Sequence, residues 1–515
     1  MLDGLYLGVD CGTQGLKTLV LDGAKAARGA PDAVLASARR RYGTIAGLPH
    51  GASEQHPRLW IAAAQATIRE VLEKIGKERV RVRAIAVSGQ QHGMVAVDDR
   101  GRVLRPAKLW NDVSTAPEAK SLVEACGGAE AVRRITGNAL PPGFTASKVL
   151  WLKRTEPQRF ERCATILLPH DYLNFWLTGE RATEAGDASG TGYFDVRRRE
   201  YAASVMSAID PDFARRTPRL VAAGAAIGRV SQARATELGM PSGVLVGHGG
   251  GDNMMAAMGT GNTHPGVVTV SLGTSGTAFA YSSDPIIDPL GEIAAFCDST
   301  GGHLPLVCIQ NCTNTTELVK RVLRFNDGAL DREAARVPPG ARGASLLPFF
   351  TGERTPNLPD ASAALFGLTP LSFTRECLAR AAMEAPALQL GYGLDRLRGL
   401  GLRPSEVRLT GGGSHSVTWR QICADVFGVP IVGLAVDEGA AFGAALCAAW
   451  CAARAEGSAV SADEIAQKCV QLDERTRAAP IPDHVERYRE LQRTREQALA
   501  SLKPLFPRLR ARGAP

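Results

Sequence analysis

The sequence predicts an α/β protein built from one unit used twice, and two observations carry that expectation. Short apolar strand patterns alternate with longer amphipathic helical patterns along the chain. A strand, a turn of Gly and Thr, and a second strand occur together twice, about half a chain apart, at residues 5–21 and 266–281. The 515 residues leave room for two large units, or three of ~150 residues.

The elements follow in order. Residues 5–9 read as a strand ending at Asp10, residues 11–15 as a small polar turn, and residues 16–21 as the partner strand. Residues 57–75 have the apolar spacing of an amphipathic helix, and residues 83–88 form a short buried strand that ends in Gly89-Gln90-Gln91-His92-Gly93. Residues 244–247 make another strand, near which the two copies divide. Residues 266–272 and 277–281 repeat the hairpin around Gly273-Thr274-Ser275-Gly276. Helices are expected over 374–397, 417–427 and 438–451. The Ala/Gly-rich segment 439–453 has too little hydrophobicity for a membrane span and reads as a tightly packed interior helix. The last helix, 483–502, is charged throughout and is expected on the exterior. The expected division is a first domain over 1–246, a second over 247–480, and a C-terminal helix with a basic tail over 481–515.

Composition excludes whole classes. With 45% hydrophobic and 22% charged residues the chain is neither disordered nor collagen-like. No stretch reaches the ~20 apolar residues of a membrane helix. The opening residues lack a basic stretch followed by an apolar one, so no signal peptide is expected. The 11 cysteines contain no CxxC pair, and there is neither HExxH nor a histidine cluster. No disulfide framework, zinc site or other transition-metal site is therefore expected, and a reduced, cytoplasmic protein is. The net charge of +8 includes Lys503, Arg508, Arg510 and Arg512 near the C-terminus. The other basic runs are short and not interleaved with aromatics, so neither nucleic acid nor membrane is an expected partner; a homodimer stays open.

Four glycine-marked segments carry chemistry. In Asp10-Cys11-Gly12-Thr13-Gln14-Gly15, glycines let backbone N–H groups approach an anion, a Thr hydroxyl adds a donor, and a strand-end carboxylate can hold Mg²⁺ through water. The repetition as Gly273-Thr274-Ser275-Gly276 strengthens a polyphosphate reading over two plain hairpin turns. Neither GxxxxGK[ST] nor a strand followed by GxGxxG is present. In Gly249-Gly250-Gly251-Asp252-Asn253, glycines clear space around one carboxylate, which either accepts a hydroxyl proton or caps the following helix. Gln91 and His92 offer donors and acceptors to a polyol, or His92 is structural. Gly411-Gly412-Gly413 before Ser416 either holds a nucleoside against the backbone or starts a helix capped by Ser416.

Together these segments resemble the FGGY family of carbohydrate kinases. The matching stretches run collinearly: GVDCGTQGLK (8–17), SGQQHG (88–93), LWND (109–112), PPGFTASK (141–148), GHGGGDN (247–253), SLGTSG (271–276), PFFTGERTP (348–356), LTGGGSHSVTWRQICAD (409–425) and GAAFGAAL (439–446). The resemblance implies two actin-like, ribonuclease-H-like domains with an ATP and sugar cleft between them. It implies Asp252 as catalytic base and Asp10 as the aspartate that supports Mg²⁺ and the phosphates. Gln91 and His92 then contact the sugar, with Asn253 assisting. Gly12, Thr13, Gly273 and Thr274 match the phosphate hairpins, and Gly412, Gly413 and Ser416 the nucleotide segment. Residues 109–112 and 143–148 are expected to line the sugar pocket without individual roles. Some members carry Met where this chain has Gln91, which leaves the finer sugar contacts open.

The implied reaction is ATP-dependent phosphorylation of D-xylulose to D-xylulose 5-phosphate. Ribulose, gluconate and glycerol are the alternatives within the family; glycerol kinases carry an Arg-Glu pair at the segment of Gln91-His92, which this chain lacks. An actin- or Hsp70-like nucleotide-operated module is the alternative from another class, and would lack the Gly-Asp and Gln-His segments together.

Overall fold

The computed structural model describes residues 2–326, 328–436 and 439–513, without the side chains of 510–513. The side chains of Arg510 and Arg512 of the expected basic tail, residues 514–515, and Glu438 at the start of an expected helix thus lie outside what is described.

The first sheet opens with β1 (Leu5–Cys11), β2 (Gly15–Asp22) and β3 (Val34–Arg41), an antiparallel meander. Helix α1 (Pro57–Ile75) leads to β4 (Val82–Gly89), which lies parallel to β1. Its buried stripe of Trp60, Ala63, Ala64, Ile68, Val71 and Leu72 follows the 3–4 residue spacing that turns one face to a core, Pro57 starts it, and Gly76 ends it at positive φ. After an excursion containing α2 (Thr145–Thr155) and α3 (Pro169–Thr178), the chain returns through β5 (Ala226–Arg229), β6 (Leu245–Gly247) and β7 (Gly250–Gly251). The order is β5-β6-β4-β1-β2-β3, with β7 also on β4. The division expected between 246 and 247 falls inside β6, and β7 beyond it pairs with β4. The segment entering α4 (Asp252–Gly259) is therefore hydrogen-bonded into the first sheet.

The second sheet repeats the plan with β8 (Val267–Leu272), β9 (Gly276–Ala280), β10 (Ala294–Cys297) and β11 (His303–Ile309). Then come α5 (Arg375–Gly399), β12 (Glu406–Thr410), α6 (Val417–Phe427), β13 (Ile431–Leu434), α7 (Gly439–Ala455) and β14 (Leu472–Ala478). The order is β10-β11-β9-β8-β12-β13-β14. In each sheet two successive antiparallel pairings lie on one side of the first hairpin strand and two successive parallel pairings on the other: β3-β2-β1-β4-β6 matches β11-β9-β8-β12-β13. This is the duplicated, ribonuclease-H-like arrangement of two α/β domains.

Helix α7 joins the two halves. It follows β13 of the second sheet yet packs on β1 and β4 of the first, and it is buried on every side from Ala441 to Ala453. Small residues permit this: a Cβ on Gly8 of β1 would sit 1.9 Å from the Ala441 carbonyl, and one on Gly443 would sit 1.7 Å from that of Met255 in α4. The expected interior helix is thus the seam between domains. Helix α8 (Pro482–Leu502), expected to be the last, is followed by a further short helix at Phe506–Gly513; α8 is largely exposed, as expected, but two side chains anchor it. Tyr488 donates to Glu384 at 2.7 Å, and Arg495 bonds Ser345 at 3.2 Å. Among the described residues no helix is long and apolar enough to cross a membrane.

Candidate active site

Strand register brings the two expected carboxylates to one edge. Asp10 in β1 and Gly250 in β7 both pair with Ser88 of β4, and Cys11 and Gly251 both pair with Gly89. Asp252, the next residue, therefore leaves the sheet at the level where β1 turns into its hairpin. Gly249 permits the approach: it sits at φ +67, and a Cβ there would lie 2.0 Å from the Val87 carbonyl. Ser88 Oγ donates to Asp10 Oδ1 at 3.0 Å. Burial raises the Asp10 carboxyl above its usual range against the pull of Ser88, Lys17 and Arg39. Asp252 is pushed up to about 7 by burial, then by the charges of Asp10 and Asp187. Gly251, not Asp252, is the residue ahead of the first helical turn, and Asp252 Oδ1 is taken by Asn253, through its N–H at 2.8 Å and its amide at 3.0 Å. The capping alternative is not the role the structure gives Asp252.

Gln91 and His92 lie beside this pair. Asn253 Nδ2 donates to Gln91 Oε1 at 3.0 Å, which links the Gln91-His92 segment to the residue next to Asp252. Gln91 Nε2 and His92 Nδ1 are buried without well-formed hydrogen bonds. His92 holds a left-handed φ of 61, with its carbonyl taken by Lys148 Nζ at 2.7 Å and Thr145 Oγ1 at 3.2 Å. Its ring lies 4.6 Å from Phe144 and 5.6 Å from Phe296 of β10, so it meets both domains. Burial and the nearby Lys148 charge drive the imidazole down to about 3, so it is neutral and offers one donor and one acceptor. Of the expected pocket segments, Asp112 is wholly buried and accepts from Ser53 N–H, Lys108 and Ser114. Lys148, also buried, reaches the site only through the His92 carbonyl.

The glycine turns are more committed than the sequence suggests. Thr13 Oγ1 donates to Gln90 at 3.1 Å and accepts from Trp110 Nε1 at 2.9 Å, so its hydroxyl is engaged within the protein. Gly273 and Thr274 accept from Thr313 and Cys312 N–H at 2.9 and 3.2 Å, which ties the second hairpin tip to the helix Thr313–Leu323. Beyond β12, Gly413 packs on Leu272 and Trp419, whereas a Cβ on Gly412 would meet open space. Ser416 accepts from Trp419 N–H at 2.9 Å and bonds Asp331, which is the helix-start alternative for its hydroxyl.

Sequence reasoning missed three participants. Asp187, buried in the short helix Ala185–Ala188, acts on Asp252 and stands beside the Gln91 amide. His170 of α3 sits 2.5 Å from Asp187; burial opposes its charge, but Asp171, Asp187 and Glu184 together raise it to about 9. Arg354 reaches from the second domain over the Trp110 ring of the first, 5.1 Å from its centre. The GERTP stretch was the only signal for Arg354, and nothing local marks Asp187 or His170.

The pattern of the FGGY family of carbohydrate kinases matches its N-terminal domain at residues 5–259 and its C-terminal domain at 268–452. A xylulose kinase of Haemophilus influenzae is 41% identical over 508 residues, 98% of this chain and 100% of that one. A crystal structure titled as a xyloylose kinase from Brucella ovis superposes with a TM-score of 0.89 at 31% identity, covering 97% of this chain and 100% of that one. A gluconate kinase from Lactobacillus acidophilus shares the fold at 24% identity with a TM-score of 0.88, covering 98% of this chain and 99% of that one. The duplicated sheets, the pair of carboxylates at the strand ends of the first, and these matches agree: the chain belongs to the FGGY family of carbohydrate kinases.

Proposed function

We propose that the enzyme phosphorylates D-xylulose with ATP to give D-xylulose 5-phosphate and ADP. The observation that carries the reading is the cluster of Asp252, Asn253, Gln91 and His92, where a carboxyl raised above its usual range adjoins buried amide and imidazole atoms without well-formed hydrogen bonds. A buried polar set of this kind suits a hydroxylated sugar, whose groups satisfy it. The identity to xylulose kinases over nearly the whole chain supports the pentulose.

In this reading the terminal sugar hydroxyl attacks the γ-phosphorus, its proton passes to an Asp252 oxygen, and the bond to the β–γ bridging oxygen breaks to release ADP. Asn253 fixes the carboxylate, and Gln91 and His92 hold the sugar hydroxyls. Arg354 over Trp110 narrows the cleft against water. Gly12, Gly273, Gly412 and Gly413 admit the nucleotide phosphates and nucleoside by their backbones, with Thr13, Thr274 and Ser416 shaping the turns. The residues fit Mg²⁺: Asp10 is raised by its own burial and its charge raises Asp252, so a cation would relieve both, and Asp10 would hold it through water. When bound, Mg²⁺ supplies neutralisation of phosphate charge. We place the boundary between the two kinase halves after α4, between residues 259 and 268 and not at 246/247, with the residues from 481 onward an appended helical segment. All 11 cysteines are free, which supports a cytoplasmic location.

A coupled ADP-release assay over D-xylulose, D- and L-ribulose, gluconate and glycerol tests the reading. D-Xylulose is expected to give the highest kcat/KM; a preference for gluconate or glycerol would leave a sugar kinase but reject the pentulose. Asp10→Asn is expected to move the Mg²⁺ dependence of turnover to higher concentration with little change in sugar KM; an unchanged Mg²⁺ titration contradicts its role. His92→Ala is expected to lower kcat/KM for D-xylulose about tenfold, the worth of one hydrogen bond, and to spare slow ATP hydrolysis by water. Equal loss of both activities would make His92 structural.

A further inference from the structure

We propose that His248, Cys447 and Cys451 form a buried site for one thiophilic cation, Zn(II) in preference to Cu(I), that ties the loop before Asp252 to helix α7. His248 lies between β6 and β7, in the turn that delivers Gly249 and Asp252 to the active site. Cys447 and Cys451 are one turn apart on α7 and so share a face. The candidate ligand atoms of the three residues all lie within 4.8 Å of one another, and all three residues are fully buried.

The three groups stand close enough to share a cation once the imidazole turns to bring its Nε2 lone pair toward the sulfurs and Cys451 gives up the bond its thiol donates to the Ala225 carbonyl at 3.5 Å. Cys447 Sγ lies 3.7 Å from His248 Nε2 and 3.8 Å from Nδ1. A cation bonded at ~2.3 Å to sulfur and ~2.0 Å to nitrogen holds those atoms about 3.5–3.8 Å apart at tetrahedral to trigonal angles. His248 Nδ1 is 2.6 Å from the Gly249 carbonyl, so it donates there and leaves the Nε2 lone pair for a metal, the outer bond that metal-binding histidines use to fix their tautomer. Trp450 closes one side, its ring centre 5.8 Å from that of His248. Two thiolates favour a soft cation. They also exactly offset the charge of Zn(II), which matters where no solvent screens the site, whereas Cu(I) would leave one buried negative charge. On binding, each thiol proton leaves to solvent as its sulfur bonds the cation.

Sequence spacing hides the site. Cysteines at i and i+4 are not a CxxC pair, and the histidine lies 199 residues from Cys447. The consequence is mechanical: a filled site would pin the loop of the catalytic base to the helix at the domain seam.

The test uses the full-length protein, reduced and stripped by a chelator. Zn(II) is titrated against a chromophoric competitor, and Cu(I) in a parallel arm against bicinchoninate. The expected result is one equivalent of Zn(II) per chain, lost in Cys447→Ala/Cys451→Ala, with a thermal midpoint that Zn(II) raises in the native protein only. Tight Cu(I) binding without Zn(II) binding would overturn the choice of cation. Binding of neither above the level of the double variant would overturn the site and leave three packed side chains. Should the double variant fail to fold, Cd(II) added to the native protein decides: ultraviolet charge-transfer absorption of two thiolates per cation supports the site, and its absence overturns it.

Discussion

Replacing Asp252 by Ala is expected to lower kcat for D-xylulose by about 10²–10⁴-fold, the usual worth of a positioned general base, while ATP still binds. The carboxylate has the attributes of such a base: it sits at a sheet edge beside Asp10, it is pushed up to about 7, and Asn253 holds one oxygen in place. A role confined to the helix start is the competing explanation, and Asp252→Asn separates the two. An amide can keep an oxygen for the Asn253 N–H but cannot take the sugar's proton. Steady-state kinetics, with calorimetric binding of a non-hydrolysable ATP analogue, reads both properties. Near-normal turnover in Asp252→Asn would reduce Asp252 to a backbone accessory of α4.

What the sequence revealed about this site follows from where each signal resides. Helix 57–75 is marked by its own residues, Pro57 at one end and Gly76 at the other, and helix 417–427 likewise by Ser416 and Gly428, so both agree with the structure end to end. Asp10 and Asp252 were legible because each adjoins an apolar strand and glycines, a pattern that survives in one dimension. The strand itself ran further than expected, through Cys11, because pairing with β4 continues to Gly89. The hydroxyls of Thr13 and Ser416 were legible as polar groups but not as engaged ones. Their partners Trp110 and Asp331 are 97 and 85 residues away, and only the fold brings them near. Asp187 and His170 lie in the excursion between β4 and β5, where no periodicity or glycine turn distinguishes a carboxylate that faces the site from one that faces solvent. The clustering of His248 with two cysteines is illegible for the same reason, since a spacing search assumes ligands close in sequence.

The second large effect concerns pH. The acid limb of kcat/KM for the sugar is expected above the ordinary carboxylate range, no higher than about pH 7 and lower where Mg²⁺ offsets the Asp10 charge, with activity falling about tenfold per unit below it. The sign follows from the base: Asp252 works deprotonated, its carboxyl is raised to about 7, and protons compete with the sugar hydroxyl below that value. After burial, the causes are the charges of Asp10 and Asp187. Asp10 is a poor handle, because its removal also disturbs the proposed Mg²⁺ site. Asp187 is the better one: it is buried beside the Gln91 amide, and it pairs with His170 at 2.5 Å. Asp187→Asn removes one negative charge beside Asp252, so the Asp252 carboxyl falls and the limb moves to lower pH. A variant that merely loosened the pocket would instead lose kcat/KM at every pH and keep the limb in place. Profiles of kcat/KM from about pH 5 to 9 for the native enzyme, Asp187→Asn and Asp252→Asn therefore distinguish the readings. An active Asp187→Asn enzyme with an unmoved limb would mean that the titrating group is not Asp252, and that the field of Asp187 does not set the reactivity of this site.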